Sequence, residues 1–113
     1  MSGISTHILD TSQGRPAAGV EVTLERASGD VGWIHCASAT TDGDGRCKDL
    51  LGMEKLLAGK HRLSFATGAY FQSVGQASLY PEVTITFLVE TAGTSYHIPL
   101  LLSPFGYTTY RGS

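Results

Sequence analysis

A chain of 113 residues fits a single domain, 1–113, because domains most often run to roughly 100–150 residues. Its formal charge of −2 at pH 7 supplies no basic surface for a nucleic acid or an anionic membrane, so neither is expected as a partner. Charged residues make up 16% of the chain against 42% apolar ones, too few to solvate a whole monomer surface, and that balance points to an interface between subunits.

The chain opens Met1-Ser2-Gly3-Ile4-Ser5-Thr6-His7, with no basic region, apolar stretch or cleavage site of a secretory signal. No apolar run approaches the roughly 18 residues of a membrane span. The cytoplasm is the expected compartment; a peroxisomal one stays open, although Arg111-Gly112-Ser113 is not an address of the Ser-Lys-Leu type. Without an export signal, Cys36 and Cys47 are expected as free thiols, and the absence of asparagine rules out N-glycosylation.

Period-two alternation dominates the chain from Ser5 onward. Ser5 to Asp10 reads as a first strand, ended by the turn signal Gln13-Gly14-Arg15-Pro16. Val20 to Glu25 alternates cleanly and stops at Ser28-Gly29-Asp30; Trp33 to Thr40 is a weaker strand, closed by Asp42-Gly43-Asp44-Gly45. Leu50 to Leu57 has a loosely helical pattern that Gly52 weakens. His61 to Ala66 is a strand, Ala69 to Val74 a short helix entered through Gly68 and left through Gly75, and Glu82 to Val89 a long alternating strand. Tyr96 to Leu102 comes next, then the weaker Tyr107 to Arg111. Short strands at this spacing predict an all-β, antiparallel sandwich of seven or eight strands with one short helix. Pro99 has no N–H for a ladder, which predicts an edge or a bulge there.

Strand parity places Ile4 and Ile8 on one face and Ser5, His7 and Leu9 on the other; likewise Tyr96, Ile98, Leu100 and Leu102 oppose His97, Pro99 and Leu101. Both histidines therefore fall on a second, half-apolar face of the kind a site or an interface needs.

Familiar catalytic signatures are absent: no Gly-x-Ser-x-Gly elbow, no Cys-x-x-Cys, no His-Glu-x-x-His and no histidine pair spaced to share a metal. The Asp42-Gly43-Asp44-Gly45 run fails as a calcium loop because Arg46 stands where an oxygen ligand is needed and no glutamate stands at the twelfth place, so a tight turn is the better account. His7 and His97 suit proton transfer near neutral pH, although a lone strand histidine is more often a surface or packing residue. Arg46, just after its turn, could offer paired donors to a planar anion or simply be solvated. The ending Tyr107-Thr108-Thr109-Tyr110-Arg111-Gly112-Ser113 keeps aromatic and β-branched residues where chain ends usually fray into polar filler.

The strand Ser5-Thr6-His7-Ile8-Leu9-Asp10, the turn Thr41-Asp42-Gly43-Asp44-Gly45-Arg46, the run Tyr96-His97-Ile98-Pro99-Leu100-Leu101-Leu102-Ser103-Pro104 and the ending Tyr110-Arg111-Gly112-Ser113 together resemble the 5-hydroxyisourate hydrolases, the transthyretin-related enzymes of urate breakdown. The resemblance runs end to end, and the terminal Tyr-Arg-Gly-Ser is its most specific part, separating the enzymes from hormone-carrying transthyretins. It implies a transthyretin-like sandwich and a homotetramer, a dimer of dimers with substrate sites in a channel between subunits. It implies His7, Arg46, His97 and Ser113 as the catalytic set and Tyr110, Arg111 and Gly112 as substrate-binding residues, with no metal and no cofactor. The implied reaction is hydrolysis of 5-hydroxyisourate to 2-oxo-4-hydroxy-4-carboxy-5-ureidoimidazoline. In it one histidine activates water, the other orients that water or protonates the departing nitrogen, Arg46 pairs with substrate oxygens, and Ser113 offers its hydroxyl or a terminal carboxylate. A transthyretin-like carrier of an aromatic ligand is the leading alternative, and a bare structural sandwich a third.

Overall fold

The structure, a computed structural model, describes residues 3–29 and 32–113; Met1, Ser2 and the Asp30 of the Ser28-Gly29-Asp30 turn lie outside the described residues. Its strands are β1 (Gly3–Asp10), β2 (Arg15–Pro16), β3 (Glu21–Ala27), β4 (Trp33–Thr40), β5 (Arg46–Cys47), β6 (Gly59–Phe65), β7 (Val83–Val89), β8 (Ser95–Ser103) and β9 (Gly106–Thr109), with one helix, α1 (Thr67–Ser73), between β6 and β7. They form two sheets, one ordered β2-β1-β8-β9 with β5 also on β1, the other ordered β4-β3-β6-β7. The expected sandwich is present, and its helix starts two residues before Ala69.

Alternation makes the sandwich. The inward residues Ile4 and Ile8 of β1, Val22 and Leu24 of β3, Leu63 and Phe65 of β6, and Ile98, Leu100 and Leu102 of β8 are all buried in one core. Fully burying each such side chain contributes about 1.5–3 kcal/mol. On β4, Ala37 and Ala39 pack partly against this core. The β3–β4 register shifts at Leu24/Glu25, where Leu24 pairs with Ala37 and Glu25 with His35. Cys36 is therefore the extra residue of a bulge, which turns it toward the core beside Ala37. Cys36 and Cys47 are free thiols, as expected, and burial raises the pKa of both. Leu50 to Leu57 forms turns rather than helix, in keeping with the penalty at Gly52.

Two features depart from the alternation reading. The pairing of β1 with β8 is parallel, Ile4 opposite Tyr96 through Asp10 opposite Leu102, while every other pairing is antiparallel. A parallel pair needs a long crossover, and the whole second sheet supplies it. Pro99 sits in β8, between β1 and β9, rather than on an edge. Its carbonyl accepts from Thr109 Oγ1 at 2.8 Å, so its missing N–H faces the β9 side, where the ladder ends at Leu100 opposite Thr109. The chain returns to the same register at Gly112, whose N–H donates to His97 O at 2.7 Å. Pro99 thus opens a gap between Thr109 and Gly112, and Tyr110 and Arg111 leave the ladder there.

Asp10 ties the helix to the first sheet. One carboxylate oxygen accepts from Ser12 N and Oγ and from Gln13 N, and the other accepts from Tyr70 Oη at 2.7 Å. Burial would raise the Asp10 pKa, but these bonds outweigh it and hold it below its ordinary value. Burial and the same carboxylate push Tyr70 up to about 12.

Candidate active site

The even-numbered residues of β1 and β8 face the core, so the odd-numbered ones share the outer face of the sheet. There the parallel register sets Ser5 opposite His97 and His7 opposite Pro99. On the other side of β1, β5 sets Arg46 opposite His7. The turn before β5 holds Arg46 in that place. Asp42 Oδ1 accepts from Asp44 N at 2.9 Å and Arg46 N at 3.0 Å, and Asp42 N donates to Arg46 O at 3.0 Å. Gly45 takes φ +74°, and a Cβ there would fall 2.4 Å from Ile8 O, so only glycine lets the turn lie this close to β1. Asp42 thereby serves as a backbone acceptor, which accounts for the calcium-like spacing without calcium.

Ser5, His97 and Arg46 meet at a groove of about 330 Å³. Arg46 and Lys48 line one side, Ser5 and His97 the strands beneath, and Gly112 and Ser113 the returning tail. Ser5 Oγ and His97 Nδ1 are 2.8 Å apart. His97 has its pKa pulled below its ordinary value, first by burial, then by the Arg46 guanidinium and by His7, against a backbone hydrogen bond to Ser5 that raises it. A partly buried imidazole kept neutral beside a guanidinium can accept a proton, and the guanidinium can pair with oxygens that gain negative charge. Among the described residues, no three His, Cys, Asp or Glu side chains gather as a metal site.

Of the residues singled out from the sequence, His97, Arg46, Gly112 and Ser113 line this groove, and His7 lies on the same face one register step along, across from Arg46. Tyr110 and Arg111 do not line it. They line a second, more apolar groove of about 270 Å³ with Ile85, Phe87 and Ile98. The Arg111 guanidinium lies 4.3 Å over the Tyr96 ring, and Tyr96 lines both grooves. Ser5, Lys48 and Tyr96 were not singled out from the sequence. Lys48 had a signal, since it stands two residues after Arg46 and so shares its face. The other two became visible only through the strand register.

A β-sandwich whose outer sheet face carries a histidine-and-cation groove, with its own tail paired alongside and lining it, defines the class of protein. The HIUase/Transthyretin family model matches residues 4–112, and the chain belongs to that family. The 5-hydroxyisourate hydrolase of Caulobacter vibrioides is 45% identical over 118 residues, covering 100% of both chains. The solved 5-hydroxyisourate hydrolase of Klebsiella pneumoniae is 38% identical with a TM-score of 0.84, covering 99% of this chain and 100% of that one. Sea bream transthyretin in complex with thyroxine is 32% identical with a TM-score of 0.91, covering 97% of this chain and 94% of that one.

Proposed function

We propose that this chain hydrolyses 5-hydroxyisourate to 2-oxo-4-hydroxy-4-carboxy-5-ureidoimidazoline in urate breakdown. The observation that carries the reading is the convergence of His97, Arg46 and the Gly112-Ser113 tail on one groove. Water adds to a ring carbonyl carbon, the adjoining C–N bond breaks, and the departing nitrogen takes a proton. One of His7 and His97 accepts the proton from water and the other serves the departing nitrogen, general acid–base help typically worth about 10²–10⁴-fold. Arg46 pairs with the oxygen that gains charge as water adds, and Ser113, which lines the same groove, offers its hydroxyl as a further hydrogen-bonding group. Lys48 adds positive charge at the same mouth, suited to a product that carries a carboxylate.

The active form we propose is a homotetramer in the cytoplasm. Support for assembly comes from exposed apolar side chains on the sheet margins, Leu88 on β7 and Phe105 and Tyr107 at β9. Among the described residues no helix is long and apolar enough to cross a membrane.

The likeness to a transthyretin solved with thyroxine favours one alternative, a carrier of an aromatic ligand. A carrier needs no neutral imidazole beside two cations. The two readings separate in one pair of measurements. Hydroxyisourate is generated from urate and uricase and its ultraviolet decay followed with and without the protein, and melting is measured with a thyroid-hormone-like ligand. The hydrolase reading expects decay faster than the unaided control. Control-rate decay together with a ligand-raised melting temperature supports the carrier instead.

A further inference from the structure

We infer that Ser5 is a positioning residue for His97, holding the imidazole with its proton on Nδ1 and its Nε2 lone pair open to the groove, while Gly112 acts as the stop against the ring's other edge. The inference rests on the hydrolase reading and deepens it, because it says which histidine takes the proton from water.

Nδ1 of His97 lies 2.8 Å from Ser5 Oγ, the residue directly opposite it in the parallel ladder. A hydroxyl can donate or accept, so this contact alone leaves both tautomers open. The hydrolase reading selects between them: a proton acceptor aimed at the groove needs its lone pair on the nitrogen that Ser5 does not hold, so the ring donates from Nδ1 to the Ser5 hydroxyl. Nε2 is then the nitrogen left for the groove that His97 lines.

The opposite edge of the ring is blocked by the tail. A Cβ on Gly112 would fall 2.5 Å from His97 Cδ2 and 3.3 Å from both His97 Cγ and Pro99 Cγ. The Gly112 N–H donates to His97 O at 2.7 Å, so the tail is pinned to the residue whose ring it flanks. A half-turn of the ring about Cβ–Cγ would put Cδ2 where Nδ1 now meets Ser5 and break that contact, and the ring would have to sweep past the Gly112 backbone to do so. Gly112 therefore acts on the substrate through His97.

The tautomer sets the chemistry. Nε2 accepts a proton from water as the water oxygen bonds to the ring carbonyl carbon, and the imidazolium formed keeps its Nδ1–H on Ser5, which stabilises it. His7, one register step along and across from Arg46, is left to protonate the departing nitrogen.

The test reads the tautomer and the rate separately, on the full chain. Nitrogen-15 NMR of the unliganded protein should show His97 with Nδ1 protonated and Nε2 bare. Ser5→Ala should lose that preference and lower kcat about tenfold or more with KM changed less than about twofold, since the proton acceptor and not the binding contact is affected. Ser5→Thr, which restores the hydroxyl, should recover both. Gly112→Ala should lower kcat by displacing the ring and serves as the second variant. A His97 ring protonated on Nε2 in an active wild-type protein overturns the inference, as does Ser5→Ala with unchanged tautomer and kcat. A wild-type protein with the Nδ1–H tautomer but no turnover would instead count against the hydrolase reading.

Discussion

The outer faces of the two sheets are built by the same alternation and differ in what neutralises their charges. On the second sheet, Arg62 Nε donates to Glu25 Oε1 at 2.7 Å and the guanidinium lies 4.2 Å over Trp33. Nearby hydroxyls pair across strands, Thr23 with Ser38 and Ser64 with Thr84. These charged and polar groups meet partners on their own sheet, and the face is a solvated surface. On the first sheet, Arg46 and Lys48 have no carboxylate within ion-pair distance among the described residues; they flank a partly buried histidine whose groove the returning tail also lines. Alternation marks both faces as outer. Cations without an ion-pair partner, set beside a partly buried histidine, are what mark one of them as a site.

The contrast between the faces breaks most sharply at His97. His97→Asn keeps a polar side chain but removes the proton acceptor, and should lower kcat/KM by about 10²–10⁴-fold with assembly unchanged by size-exclusion chromatography. The pH profile gives the next effect. His97 must be neutral to accept a proton, and burial, Arg46 and His7 lower its pKa from 6.5. The groups around it are Arg46 and Lys48 from the β5 segment, Tyr96 and Ser113, which line the same groove, and His7 from β1, which acts on it from the same face. The limb set by His97 should therefore be an acid one with its midpoint below 6.5; a midpoint above 6.5 contradicts the assignment. Stability carries the same sign. The unfolded chain binds more protons in the window just below pH 6.5, so this histidine's contribution to stability is lost as pH falls through it.

Smaller effects separate fold from site. Tyr70→Phe removes a donor from a buried carboxylate and should cost about 1–3 kcal/mol in urea unfolding. Its turnover at room temperature should stay near wild type, because Asp10 and Tyr70 lie on the core side. Arg62→Ala should do least. Its half-exposed ion pair is worth about 0–1 kcal/mol, and hydroxyisourate turnover should not change. A large loss of activity in Arg62→Ala would erase the distinction between the two faces.

The long strands were legible because β1, β3, β7 and β8 alternate over several residues. The pairs Arg15–Pro16 and Arg46–Cys47 were not, since two residues carry no period. The parallel β1–β8 pairing was hidden for a different reason: it joins residues 92 positions apart, and nothing local to Ser5 or His97 reports it. That pairing is what turns an ordinary strand serine into the partner of His97. The tail was legible as unusual but not in its division, because the gap at Pro99 sends Tyr110 and Arg111 to the apolar groove and Gly112 and Ser113 to the polar one. The same proline explains why the expected edge or bulge became a break in the neighbouring ladder.

The most direct test of a hydrolytic site lined by the tail is the ultraviolet decay of freshly generated hydroxyisourate with the full chain and with a chain lacking Tyr110 to Ser113. Decay well above the unaided control is expected for the full chain and a return to the control rate for the shortened one, with the circular dichroism of the sandwich retained. A shortened protein that stays fully active would contradict the placement of the site at the tail.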